Sequence, residues 1–304
     1  MTTPLFITGG SGFVGQRVLR LLVEAGHSDV RVLTRDVGRV VLPAGWRAVR
    51  GSLSTPEAWI AELTGVETVL HLASPTGKTT KHAYEDAIVL GTKQLLALAE
   101  HSGVQRFLFV SSCAAGFPAR RHYHYAEAKR AAEELVRASS LETLIVRPTM
   151  VFGRGSAVLT GLRTLAQLPR PVVFGSGKHV VQPIAVEDLA ALLVTTLDLQ
   201  TWRGETITAA GIDAVTIDAL MLRIRESIAG LHASHGVIHI PLAPFRELLG
   251  VLEPLLFRVL PITAGQLATF ANDGRGEPHP LLAQLAPPRV TLQQMLASSE
   301  LHDR

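Results

Sequence analysis

The chain carries one cysteine, Cys113, in 304 residues, so it holds no internal disulfide and no CxxC metal site. That scarcity fits a reducing, cytoplasmic setting, and a chain this long buries a large core without covalent staples. Charge of one sign is also missing: 29 basic and 26 acidic residues leave a formal charge of +3. No Lys/Arg-rich run is present to track a phosphate backbone, so nucleic acid is not an expected partner. No run of 18 uncharged apolar residues occurs, so no integral membrane segment is expected. The opening MTTPLFITGG has no basic stretch ahead of an apolar one, and no secretory signal is expected. Internal repeats and low-complexity tracts are absent as well. What remains, 47% hydrophobic and 18% charged residues, is the composition of a folded globular protein.

Short β-branched apolar runs alternate with longer helix-patterned segments. Residues 5–8, 30–34, 48–50, 66–73, 107–111, 144–147 and 205–209 read as strands. Residues 12–25, 57–64, 83–102, 125–138, 186–199 and 216–229 read as helices. Uninterrupted apolar strands alternating with helices predict an α/β fold with a parallel sheet covered on both faces, wound by right-handed crossovers. Beyond Pro148 the pattern loosens: 153–183 is rich in Gly and Pro, and 237–300 carries apolar helices broken by Pro241, Pro244, Pro254 and Pro261.

Residues 8–15 read Thr-Gly-Gly-Ser-Gly-Phe-Val-Gly, directly after a strand and opening a helix. Glycines there allow a tight turn and let backbone N–H groups approach a pyrophosphate, which the positive end of the helix dipole then favours. The string Tyr125-Ala-Glu-Ala-Lys129 places a phenol and an amine on one helix face. A free phenol titrates near 10, and a neighbouring cation is expected to lower that value and make Tyr125 a usable acid or base. A dinucleotide fold selects its cofactor at the end of the second strand, where an acidic residue suits a ribose 2′-hydroxyl and an arginine a 2′-phosphate. Here that end reads Leu33-Thr34-Arg35.

With the glycines spaced G-x-x-G-x-x-G, these strings resemble the extended short-chain dehydrogenase/reductase family, the NAD(P)-dependent epimerase/dehydratase-like proteins, over roughly 4–225. The resemblance implies a Rossmann doubly wound parallel sheet with a smaller C-terminal substrate-binding region. Residues 1–152 would form the dinucleotide-binding core, and 153–304 mostly the substrate side, with some segments returning to the core.

The resemblance also assigns residues. Gly9, Gly12, Phe13 and Val14 would line the pyrophosphate. Thr34 stands where NAD-preferring relatives carry Asp, so Arg35 points to NADP (NADPH) as cofactor and makes NAD the lesser expectation. Ser52 and Leu53 occupy the family's Gly-Asp-Leu stretch near the adenine, with Ser52 replacing the acid. Ala73 and Ser74, in His71-Leu-Ala-Ser-Pro75, resemble the segment beneath the cofactor, whose Ser-Pro ending resembles the dihydroflavonol-reductase-like branch. His71 itself reads as a packed strand residue. Ser111-Ser112-Cys113 matches the Ser-Ser strand end, with Ser112 orienting the substrate oxygen. Ser112, Tyr125 and Lys129 would then be the catalytic set, Tyr125 and Lys129 also contacting the cofactor, and Pro148 and Val151 flanking the nicotinamide. Asp188, in Val186-Glu-Asp188, would cap or steady its helix, and no metal is implied. His122, Tyr123 and His124 sit where substrate could enter, though they read first as solvated loop residues.

Two departures stand out. Ile88 occupies the place of the usual Asn in Ile88-Val-Leu-Gly91-Thr92. The stretches beginning at Pro261 and Arg289 resemble an atypical branch related to an accessory subunit of respiratory complex I, in which the fold binds NADPH without turnover. Three functions therefore remain open: an NADP-dependent oxidoreductase acting on a carbonyl or alcohol of a small substrate; a nucleotide-sugar epimerase or dehydratase with tightly bound NAD; and a non-catalytic NADPH-binding or assembly protein. The apolar segment 241–262 would line a hydrophobic substrate cleft, form a dimer face, rest on a membrane surface or simply pack onto the core. A homodimer through the long helices is the arrangement common among relatives.

Overall fold

The strands of the first half are apolar on both faces because both faces are covered. In β1 (Leu5–Thr8), Leu5 and Ile7 enter one hydrophobic cluster and Phe6 another. In the strand Arg106–Val110, Leu108 and Val110 face the first cluster while Phe107 and Phe109 face the second. Period-two geometry makes each strand the partition between two cores. The computed structural model describes residues 3–75, 77, 79–119, 122–228, 231, 236–242 and 266–298.

Following β1, the chain runs through α1 (Phe13–Glu24), β2 (Val30–Thr34), β3 (Arg47–Arg50), β4 (Thr68–His71) and α2 (Lys81–Tyr84). A π turn (Glu85–Leu90) leads into α3 (Gly91–His101), then β5 (Arg106–Val110), α4 (His124–Ala138), β6 (Glu142–Pro148) and β7 (Val151–Phe152). Next come α5 (Ala157–Ala166), β8 (Val172–Phe174), β9 (Val180–Val181), β10 (Ile184–Ala185), α6 (Val186–Thr195), β11 (Glu205–Ala209), β12 (Val215–Thr216), α7 (Ile217–Glu226) and β13 (Ile238–Ile240). A last described helix spans Leu292–Ser298.

Seven strands form one parallel sheet in the order β11-β6-β5-β4-β1-β2-β3. The order reverses at β1/β4, and in such sheets ligands bind outside the carboxyl ends of the strands at that point. One face is covered by α1 and α6, with Val18, Leu22, Leu189 and Leu193 all buried. The other is covered by α3 and α4, through Leu95, Leu96, Ala99, Ala128, Ala132 and Val136. A third cluster, Phe152, Leu159, Leu162, Val173, Leu220, Met221, Ile224 and Leu292 among its members, is the core of the C-terminal region. The Rossmann architecture read from the sequence is the one found.

Four local readings change. Residues 57–64 form two 3-10 turns, Pro56–Ala58 and Ile60–Leu63, rather than a helix. Trp59 lies between them, buried, with its Nε1 donating to the carbonyl of Ser52 at 2.7 Å, and that anchor interrupts helical continuation. The helix at 83–102 is broken by the π turn, which wraps Ile88 into the core beside α4. The helix from Val186 stops at Thr195 and ends in a 3-10 turn, Thr196–Asp198. Asp188 does not cap its own helix: its Oδ2 accepts the backbone N–H groups of Arg289 at 3.0 Å and Val290 at 2.9 Å, tying the C-terminal stretch to α6. Residues 243–262 of the apolar segment, and the stretch 261–265, lie outside the described residues. Among the described residues no helix is long and apolar enough to cross a membrane.

Candidate functional site

The turn after β1 requires its glycines. Gly9 has φ +77°, and a Cβ there would stand 2.6 Å from the amide nitrogen of Ala73. A Cβ on Gly15 would stand 2.2 Å from the carbonyl oxygen of Gly9, so helix α1 can start this close to the turn only without one. Gly12 N–H donates to Gly9 O at 3.0 Å and closes the turn. Helix α1 has no side-chain cap and no acidic residue in its first turn, so its N–H groups and dipole face outward uncancelled. These features fit a dinucleotide pyrophosphate. Phe13 packs beside the turn after β7, 3.6 Å from where a Cβ on Gly153 would be, while Val14 packs on the core.

A buried chain of polar groups fixes this floor. The hydroxyl of Thr8 meets His71 Nδ1 at 2.6 Å, and His71 Nε2 meets the Thr92 hydroxyl at 2.9 Å. Ala73 N–H donates to the same Thr8 oxygen at 3.3 Å. Burial, with help from the Lys129 charge, brings the imidazole down to about 3, so His71 is neutral and structural, as its strand position indicated.

Arg35 lies exposed at the end of β2, beside Gly51, whose N–H donates to Thr34 O at 3.0 Å. Asp36 accepts Gly38 N–H at 3.0 Å, and among the described residues Arg35 makes no ion pair. Its guanidinium is therefore available to an anion. Ser52 is engaged in its own turn, its hydroxyl 2.9 Å from that of Ser54 and 3.1 Å from that of Thr55. Leu53 lies against Gly91, 3.0 Å from where a Cβ there would be.

The side chains of Ser112 and Ser74 lie near enough to the Tyr125 phenol to favour its ionised form. Ser112 follows β5, Ser74 follows β4 and Tyr125 opens α4, so three separate segments deliver hydroxyls to one point. Lys129, one turn along α4, is 1% exposed and donates from Nζ to the carbonyl of Val110 at 2.8 Å. Pro148 ends β6 beside Ala209, and Val151 opens β7 beside Ile184. Every one of these positions lies at or just past the carboxyl edge of the sheet.

The expected lowering of the Tyr125 phenol by Lys129 is corrected here. Burial raises the phenol, and the nearby Ser112 and Ser74 side chains only partly pull it back. Burial also brings Lys129 down to about 7, so the amine is a weak cation at neutral pH; Glu133 acts in the opposite sense. Tyr123 is likewise no solvated loop residue. Its phenol lies near the side chain of Thr269 and its ring lies 6.0 Å from that of Tyr125. The Tyr84 ring lies 5.6 Å from that of Tyr125, and its hydroxyl donates to the carbonyl of Gly77. These two were missed, although the chain has only three tyrosines and all three meet here. Cys113, next to Ser112, is pushed up to about 12 by burial and stays a thiol. A cavity of about 380 Å³ borders the turn after Ser112, lined by Phe117, Pro118, Arg147, Asn272, Arg275 and Glu277 among others. Among the described residues no group of His, Cys, Asp and Glu is arranged to hold a metal.

A glycine turn at the switch point of a doubly wound sheet, with serines past the strand ends and a tyrosine and lysine on the adjoining helix, defines a nucleotide-binding class of enzyme fold. The chain belongs to the NAD dependent epimerase/dehydratase family, which it matches over residues 5–209. It is similar to a ceramide reductase of Caulobacter vibrioides, 35% identical over 193 residues, 62% of this chain and 59% of that one. It is also similar to a 2-alkyl-3-oxoalkanoate reductase of Stenotrophomonas maltophilia, 28% identical over 207 residues, 61% of this chain and 62% of that one. The matches thus span about three fifths of the length of these curated relatives. Among solved structures the fold matches gox2253 with a TM-score of 0.76 and 22% identity, covering 100% of this chain and 99% of that one. It matches MoeE5 in complex with UDP-glucuronic acid and NAD with a TM-score of 0.74 and 20% identity, covering 97% of each.

Proposed function

We propose that the protein is an NADPH-dependent reductase of a ketone carried on a substrate with an apolar chain. The observation that carries this reading is the meeting of the Tyr125, Ser112 and Ser74 hydroxyls at the sheet edge, above Lys129 and next to the glycine turn. Bound NADPH would supply hydride to the carbonyl carbon. Ser112 and Tyr125 would hold the carbonyl oxygen, and Tyr125 would release its proton to that oxygen as negative charge develops there. A phenol kept protonated by burial is the form this direction requires. Lys129 would replace the proton and contact the nicotinamide ribose.

Gly9, Gly12, Phe13 and Val14 would hold the pyrophosphate, Leu53 and Ser52 the adenine end, and Ala73, Pro148 and Val151 the walls around the nicotinamide. Arg35 favours a 2′-phosphate, because its charge is not spent on Asp36. The substrate class follows from the relatives named for ceramide and for 2-alkyl-3-oxoalkanoate, both molecules that carry alkyl chains. Pairing of two copies through α3 and α4 belongs to the same proposal.

The test is oxidation of NADPH against a panel of 3-oxo esters and ketones of increasing chain length. Turnover that rises with chain length supports the reading; a protein that consumes no NADPH with any of them sinks it. The epimerase reading is favoured by the UDP-sugar and NAD bound to a structural neighbour. It would be supported instead by NAD that copurifies and is not exchanged.

A further inference from the structure

Glu133 lies on α4 one turn beyond Lys129, with its carboxylate fully enclosed. Ser111 donates to its Oε1 at 2.6 Å, Arg147 donates to Oε1 at 2.8 Å and to Oε2 at 2.6 Å, and Arg137 donates to Oε2 at 2.8 Å. Ser111 immediately precedes Ser112, Arg147 immediately precedes Pro148, and α4 itself carries Tyr125 and Lys129. One carboxylate therefore fastens together the three chain segments that present the reacting groups. We propose that Glu133 is a positioning residue for the reductase: it clamps the ends of β5 and β6 to α4 and is the anion that favours the protonated form of Lys129. This rests on the reductase reading for its catalytic consequence, but not for its effect on Lys129.

The charge argument follows from the surroundings. The titratable groups on the elements packed around Lys129 are Tyr125 and Glu133 on its own helix, His71 on β4, Tyr84 ending α2, Cys113 after β5 and Arg147 on β6. His71 is a neutral imidazole, and Cys113 and Tyr125 are held as neutral thiol and phenol by burial. Glu85 and Asp86 on the π turn pair outward with Lys81 and His82. Arg147 is tied to Glu133, and the carboxylate stays ionised because the bonds from Arg147, Ser111 and Arg137 outweigh its burial. Glu133 is thus the anion acting on the amine. A buried ammonium without such a partner loses its proton.

The chain has only five lysines, so Lys129 can be followed individually by NMR of Cε-13C-labelled lysine, assigned through Lys129→Met. In the native protein its titration midpoint is expected near pH 7. In Glu133→Gln the midpoint is expected to fall by about one pH unit or more. In Glu134→Gln, an exposed site on the same helix, it stays in place. The alkaline limb of kcat for NADPH oxidation should move down by the same interval in Glu133→Gln, with KM for NADPH little changed. A folded Glu133→Gln protein whose Lys129 midpoint has not moved overturns the proposal. Should that variant fail to fold, Glu133→Gln/Arg147→Gln removes the carboxylate together with its bidentate partner, and the Lys129 midpoint is expected to fall in the same direction by a smaller interval. A native protein that reduces no carbonyl removes the reductase reading instead, and the Lys129 midpoint still decides the role of Glu133.

Discussion

Gly9 and Ala73 approach so closely that only a hydrogen fits on the Gly9 α-carbon: a Cβ would stand 2.6 Å from the Ala73 nitrogen. The turn after β1 and the segment after β4 are thereby locked in one arrangement. Gly9→Ala adds a clash with backbone to a positive φ, and is expected to lower stability by at least about 2 kcal/mol. Denaturant unfolding measures that loss. An alanine variant that keeps native stability and native NADPH affinity would show that the turn has room to spare.

Removing the phenolic proton separates chemistry from binding. Tyr125→Phe keeps the ring packed near Tyr84 and Tyr123 while deleting the hydroxyl near Ser112 and Ser74. Turnover is expected to drop by about a hundredfold or more, with NADPH affinity close to native. Steady-state kinetics beside a fluorescence titration of NADPH reads both.

Arg35 gives a cofactor test. Arg35→Ala is expected to weaken NADPH binding about tenfold or more, the worth of a charge-assisted hydrogen bond, while leaving NADH unchanged. Calorimetric titration of both cofactors checks it; equal losses for the two would show that Arg35 does not read the 2′-phosphate.

His71 predicts acid lability. The unfolded imidazole titrates at 6.5 and the folded one at about 3, so between those values the unfolded chain binds the extra proton. Stability contributed by neutral His71 is complete above pH 6.5 and is lost as pH falls toward 3, with a slope of up to about 1.4 kcal/mol per pH unit. Comparing unfolding free energies of the native protein and His71→Asn across that range isolates the slope. Parallel curves would count against the mechanism.

Lys129 works in the opposite direction on the pH scale. Its folded value near 7 lies below the 10.5 of a free lysine, so stability is expected to increase as pH rises between the two, when the unfolded chain holds a proton that the folded chain has released. Lys129→Met should flatten that rise in urea unfolding measured from pH 7 to 10.

The sheet and the glycine turn were legible in the sequence because their signals are local. An apolar strand, a glycine string and a helix face each declare themselves within about ten residues. Tyr125 and Lys129 were visible as an i, i+4 pair, and Arg35 by its place at a strand end. What was not legible depends on distant parts of the chain. Tyr123 looked like loop because its partner, Thr269, lies far along the sequence, and Glu133 looked like any charge on a helix until Ser111 and Arg147 arrived from two other strands. The π turn around Ile88 escaped because nothing in a hydrophobic period marks one inserted residue. The expected action of Lys129 on Tyr125 failed for a related reason: spacing places the two groups together, but only burial decides how much charge the amine carries.

The last strand of the large sheet, β11, pairs along β6 from Glu205 to Ala209, some sixty residues after β6 itself has been laid down. While the ribosome is making the intervening segment, β6 must wait with a bare row of backbone donors and acceptors along one side. That interval is a window for wrong pairing between nascent chains. A fragment cut before residue 205 would keep the nucleotide turn and the Tyr125 helix, yet carry this open edge permanently, making it prone to precipitate rather than to bind.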